Sequence, residues 1–348
     1  LKRRRLIICL IMICAMTFTV MAASASQVRA DDKTYTLTMT MHDALTSVNG
    51  EWYQNWADQI YEATDGHVVI KIFGSANLCA GPDVVDYVLS RAADIGWIFT
   101  GFYSEQFPLA QVSSMPLAGI TDSIQGTRAL WDMYETSEEL QAETSAFKVL
   151  FLYNNPANFI STTKKEITSM ADLKGLSLRC PTGAIFDYIS IVGANPMQMS
   201  SNEIYDNLSK NVIDGAVFEW SGIGTWSLSD SLKYYMDLPL FCGTFMTVIN
   251  WDSWNQLPEE YQDIIESLSL RDGSLSVAQA FNDDALASEE AALEKGGQLT
   301  AVSDEMRSEL ESEVTSLIDS WCEAHSTDSF DARAYFDTYT EYLEKEAE

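Results

Sequence analysis

The order in which extended and helical patterns alternate constrains this chain more than any single residue does. Residues 35–41 alternate strictly as Tyr-Thr-Leu-Thr-Met-Thr-Met, the period of a half-buried strand. Residues 49–64 follow with helical spacing that puts Trp52, Trp56, Ile60 and Ala63 on one face. Asp65-Gly66 is a turn pair, and residues 67–73 read as a second strand. A helix is expected after Gly81-Pro82, with Val84, Val85, Val88 and Leu89 as its apolar face, and residues 93–99 read as a third strand. Strand–helix–strand–helix–strand marks a parallel α/β sheet.

The same grammar continues through a helical stretch over 123–145 and a strand over 148–153, and then a second α/β region begins. There Leu176 and Leu178 alternate with Ser177 and Arg179, helices are expected over 184–192 and 200–210, and 216–220 reads as a buried strand. Residues 234–251 look like extended chain crossing back, broken by Pro239 and Gly243, and from Pro258 onward the pattern is helical and acidic with a break near Gly296-Gly297. A chain that leaves one α/β lobe, builds another and returns predicts an α/β two-lobe clamshell of the periplasmic-binding-protein type, with an interlobe ligand cleft. The expected divisions are lobe I over 31–153 with a return segment at about 240–257, lobe II over 154–239, and C-terminal helices over 258–348 that pack on both.

Residues 1–30 read as a cleavable signal peptide rather than as part of either lobe. Lys2 and Arg3 to Arg5 form a basic start, residues 6–22 are apolar, and Val28-Arg29-Ala30 offers small residues at a cleavage site. The apolar run is short for an uncleaved anchor and ends in a Ser/Ala-rich stretch. Export to the periplasm is expected. Without the leader's five basic residues the chain keeps 16 Lys and Arg against 51 Asp and Glu, a net charge near −35. Such a field disfavours nucleic acid and anionic membrane surfaces as partners. Cys79, Cys180, Cys242 and Cys322 remain, without a CxxC, and their pairing is left open among three possibilities.

Catalytic chemistry is not legible. His42, His67 and His325 are the only histidines, and no GxSxG, HExxH, P-loop or GxGxxG occurs, so no catalytic residue, metal ligand or cofactor is assigned. A ligand cleft is a better match to the aromatic inventory. Trp97 and Phe99 end one expected strand, Phe218, Glu219 and Trp220 end another, and His42 follows the first, at the strand ends where open α/β sheets bind ligands. Arg179, at the end of its own strand, is placed either to fork onto a ligand carboxylate or to form a surface or interlobe salt bridge.

The segments Lys174-Gly-Leu-Ser-Leu-Arg-Cys-Pro181, Val192-Gly-Ala-Asn-Pro-Met-Gln-Met199, Glu203-Ile-Tyr205 and Val212-Ile-Asp-Gly215 come in one order at close spacing. Together they resemble the solute-binding subunits of tripartite ATP-independent periplasmic (TRAP) transporters, and the similarity extends over about residues 35–270. The resemblance implies a two-lobe periplasmic receptor that delivers a solute to membrane permease subunits, and a monomer is expected. It also implies that the arginine of the first segment, here Arg179, pairs with the substrate carboxylate, a contact contributing roughly 1.5–3 kcal/mol. Where many sialic-acid and dicarboxylate binders carry a second arginine, this chain has Asn158 as the nearest match. Where those members have an asparagine, it has Phe218, followed by Glu219 and Trp220. One cation with aromatic surroundings favours an organic monocarboxylate, such as a 2-oxo or aromatic acid. The competing expectations are a ligand-presenting partner of a membrane sensor and a secreted enzyme acting on organic acids.

Overall fold

The computed structural model describes residues 33–120 and 122–346, and the expected leader over 1–30 lies outside them. Residues 36–348 form one compact unit. In the short unit before it, the Lys33 ammonium sits 4.2 Å from the centre of the Tyr35 ring. The strands in chain order are β1 (Tyr35–Thr40), β2 (Val68–Phe73), β3 (Ile95–Phe99), β4 (Phe147–Asn154), β5 (Phe159–Thr162), β6 (Ser177–Arg179), β7 (Asn195–Met197), β8 (Gly215–Phe218), β9 (Tyr234–Asp237), β10 (Thr244–Asn250) and β11 (Gln298–Ala301). They build two sheets, one ordered β2-β1-β3-β10-β4 and the other β11-β9-β5-β8-β6-β7.

Both sheets are mixed rather than parallel. In the first, β1 and β3 run parallel, while the returning β10 lies antiparallel between β3 and β4. In the second, β8, β6 and β7 are parallel neighbours, and β5 runs antiparallel to β8 and β9. The reversed strands are the ones that cross between sheets, which the helix–strand alternation of the sequence does not mark.

Helix Val48–Ala63 is capped by Ser47, whose hydroxyl accepts the Gly50 N–H, and it lies over the first sheet. Its buried face is Tyr53, Trp56, Ala57 and Ile60, whereas Ala63 is exposed, so the face is rotated from the expected one. The rotation lets the Tyr53 hydroxyl reach Thr247 at 2.6 Å, and each such aromatic removed from water contributes about 1.5–3 kcal/mol. The helix after Gly81-Pro82 buries Val84, Val85 and Val88 but leaves Leu89 45% exposed. The stretch expected as one helix over 123–145 is two, Ser123–Thr136 and Glu138–Glu143, broken where Ser137 turns extended and caps the second. Trp220 does not end a strand: it opens helix Trp220–Thr225, with Glu219 as the cap.

The C-terminal part is not wholly helical. The 25-residue helix Leu270–Glu294 packs on β4 and on helices Val48–Ala63, Ser123–Thr136 and Trp220–Thr225. After it the chain turns at Gly296, where φ is +92°, and adds β11 to the edge of the second sheet. Helices Asp304–His325 and Ala332–Glu346 follow. No helix among the described residues is long and apolar enough to cross a membrane.

Besides the helical stretch from β10 to β11, two short segments connect the sheets, the link from β4 to β5 and the link from β9 to β10. They are laced together: Asn155 N–H donates to Gly243 O at 3.0 Å, Asn158 N–H to Phe241 O at 2.7 Å, and Leu240 N–H to Asn158 O at 2.8 Å. The Asn155 side-chain oxygen also accepts the Gly243 N–H at 2.6 Å.

Candidate functional site

Arg179 is the last residue of β6, where Leu178 pairs with Gly215 and Arg179 with Ala216 of β8. That register puts Arg179, Ala216 and Phe218 on one face, and Phe218 becomes the diagonal neighbour of the guanidinium. Its Cζ stands 4.8 Å from the centre of the Phe218 ring, a cation–π distance. Arg179 is only 7% exposed. Nε donates to Met199 O and Nη1 to Val217 O, each at 3.4 Å; these are its only hydrogen bonds among the described residues, and it forms no ion pair there. Burial pulls its pKa down to about 10, opposed by the nearby Cys180 and Glu219.

Glu219 follows Phe218 in the same turn. One carboxyl oxygen, Oε1, accepts the Gly222 N–H at 2.7 Å, and the other, Oε2, is buried with no hydrogen-bond partner. Burial pushes its pKa up to about 8, with Asp284 and Asp43 adding to the rise and the amides of Gly222 and Ser221 opposing it. Trp220 packs against Phe159 at 4.7 Å and Tyr235 at 4.5 Å between ring centres, and lines a cavity of about 370 Å³ with Pro156, Pro239 and Leu286.

On the first sheet, Trp97 is buried and stacks on Phe245 at 4.9 Å, while its indole N–H donates to the Tyr153 hydroxyl at 2.6 Å. The His42 ring lies 4.4 Å from Trp97 and 5.7 Å from Phe102. The ring is half-buried, but its Nδ1 is fully buried without a partner, and burial lowers its pKa against the pull of Asp43. Asn158 sits in the crossing segment, where its amide donates to Asn155 Oδ1 and Pro156 O at 3.3 Å and to Phe241 O at 3.4 Å.

The fold therefore gathers Arg179, Phe218 and Glu219 into one group and His42 and Trp97 into another. Asn158 is bound into the crossing segment, and Trp220 packs on the Phe159 and Tyr235 rings. Glu219 links the groups electrostatically, since it feels Asp43 beside His42 and acts on Arg179. The loops after β3 and β6 also touch, because the Thr182 hydroxyl donates to Gly101 O. Beside this contact lies a cavity of about 390 Å³, walled by Phe99, Gln111, Thr182, Gln198 and Trp321. Its walls begin one step beyond the arginine: Phe99 follows Trp97 along β3, and Thr182 follows Arg179. Phe245, Tyr153 and Thr182 carry no local sequence signal for the site; only Thr182, three residues past Arg179, is adjacent in sequence to one that does.

Among the described residues, Cys79, Cys180, Cys242 and Cys322 are all buried free thiols. Among the described residues no group of three His, Cys, Asp or Glu side chains could hold a metal ion.

Comparison with known proteins gives the fold and the family. A monocarboxylate 2-oxoacid-binding periplasmic protein of a Nostoc species is 29% identical over 244 residues, which is 66% of this chain and 64% of that protein's length. A TRAP solute-binding protein of Rhodoferax ferrireducens, crystallised with copurified benzoate, superposes with a TM-score of 0.84 at 24% identity, covering 90% of this chain and 99% of that one. A marine-metagenome TRAP solute-binding protein specific for aromatic acid ligands, with 3-hydroxybenzoate, gives the same TM-score at 21% identity and covers 91% and 100%. The two-lobe α/β fold is that of these periplasmic binding proteins. The description of bacterial extracellular solute-binding protein family 7 (DctP) fits residues 40–324, most of the chain, and the protein belongs to that family of TRAP solute-binding proteins.

Proposed function

We propose that this protein captures an organic monocarboxylate outside the cytoplasm and hands it to the membrane permease subunits of a TRAP transporter. The observation that carries the proposal is Arg179, a guanidinium buried at the carboxyl end of β6, unpaired by any described carboxylate and backed by the Phe218 ring. A buried cation without a counter-charge is costly, and a ligand carboxylate on its fork would offset that cost. Aromatic side chains on both sides, Phe218 from one sheet and Trp97, Phe99 and Phe245 from the other, fit a ligand with an apolar or aromatic body. The relatives support this reading, since they include a 2-oxoacid binder and an aromatic-acid binder.

In this reading the chain works as a monomer in the periplasm after its leader is removed. Lobe I is 31–153 with the return at about 240–257, lobe II is 154–239, and 258–348 braces both. His42, Asn158, Glu219 and Trp220 belong to the ligand's surroundings. Thermal-shift screening of 2-oxo and aromatic acids, followed by calorimetry with Arg179→Ala, tests the proposal. Binding that survives the substitution unchanged would sink it.

A further inference from the structure

Among the described residues, Glu219 holds the only buried carboxyl oxygen without a hydrogen-bond partner. The side chain is 4% exposed, and its structural duty occupies one oxygen: Oε1 accepts the Gly222 N–H and caps helix Trp220–Thr225. A shorter capping residue would serve that end. The second oxygen, Oε2, is surplus to the cap, and burying it unpaired is unfavourable.

The charges around Glu219 come from four elements. Arg179, at the end of β6, feels its field. Asp43 follows β1, and Asp284, on helix Leu270–Glu294, accepts the Ser221 hydroxyl; both push Glu219 toward its neutral form. Cys242, in the segment crossing back to the first sheet, is held un-ionised partly by Glu219. Glu219 thus stands where influences from both sheets and the crossing segment meet, one residue from the ring that backs Arg179.

We infer that Glu219, protonated, donates a hydrogen bond from Oε2 to the oxo oxygen of a 2-oxo acid whose carboxylate Arg179 holds. This rests on the reading of Arg179 as the carboxylate anchor and adds the ligand's second polar feature. An oxo oxygen can only accept, so it needs a donor, and a carboxylate in that place would repel it. The neutral form prevails below about pH 8, in keeping with the raised pKa.

Calorimetry with phenylglyoxylate and phenylacetate, which share a carbon skeleton and differ by the oxo group, tests this between about pH 6 and 9.5. At about pH 6 the wild type should bind phenylglyoxylate about tenfold more tightly, the effect of one buried hydrogen bond. That preference should fall away as pH rises above about 8, with net proton uptake on binding in the same range. In Glu219→Gln the amide still donates and cannot ionise, so the preference should persist at every pH. The proton uptake by the wild type is read without any variant. Equal affinity for the two acids, both weakened by Arg179→Ala, would overturn the role of Glu219 and leave the anchor standing. A wild-type preference that is flat to about pH 9.5 would overturn it likewise. Binding of neither acid would remove the anchor reading along with this one.

Discussion

A guanidinium is the one side-chain cation that keeps its charge in a dry site, so Arg179 carries its cost of burial whether or not a ligand is present. The consequence is a trade between stability and binding. Arg179→Ala should weaken binding of an organic acid by at least about tenfold, matching the loss of a charge-assisted contact of roughly 1.5–3 kcal/mol. The ligand-free variant should melt no lower than the wild type, because an unpaired buried charge has been removed. Calorimetry and thermal denaturation together check both halves. Tyr153 shows the opposite balance. Its hydroxyl accepts the Trp97 indole N–H at 2.6 Å and lies 3.5 Å from the Tyr53 hydroxyl, all within the first sheet's core. Tyr153→Phe leaves that N–H buried and unpaired, and should cost about 1–3 kcal/mol in urea denaturation.

Elements were legible where pattern and burial agree. The periodicity of residues 35–41 and 67–73 matches β1 and β2, and the sequence motif around Arg179 marks β6. Less legible was the rotation of helix Val48–Ala63, because Tyr53 is drawn inward by a hydrogen bond to Thr247, 194 residues away. Strand β11 was hidden inside an acidic helical run; only pairing with β9 makes those four residues extended. At the site, Arg179 and Phe218 could be read from local pattern, but their contact depends on β6–β8 register, and Phe245 arrives on a strand returning from the second sheet. Another long-range link, unmarked in sequence, ties helix Glu138–Glu143 to the cavity loop. The Glu143 carboxylate accepts the backbone N–H groups of Leu109 at 2.8 Å and Ala110 at 2.9 Å. Burial outweighs those bonds and raises its pKa from 4.5 to about 7. The folded chain therefore holds this proton more tightly than the unfolded one. The stability so gained is complete below about pH 4.5 and is lost as pH rises through about 7. Relative to Glu143→Gln, which cannot titrate, the wild type should lose stability across that window, measured by denaturant titration at several pH values.

At the scale of the whole molecule, the acidic surface opposes the anion that Arg179 is proposed to receive. With a net charge near −35 once residues 1–30 are removed, capture of an organic anion should be slow at low ionic strength, where screening extends about 30 Å at 0.01 M. Stopped-flow association rates should rise with added salt; a fall would mean that the local field of Arg179 prevails over the total. The same scale shows how the chain is divided between its sheets. The second sheet takes β5 to β9 from one stretch and then β11 from beyond Leu270–Glu294, while the first takes β10 from between them. No single cut yields two pieces that each carry a whole sheet. Recombination between relatives that exchanged one continuous stretch across the crossing segments would deliver a lobe missing its edge strand, so ligand preference in such a chain can change by substitution within the cleft but not by trading a lobe as one uninterrupted piece.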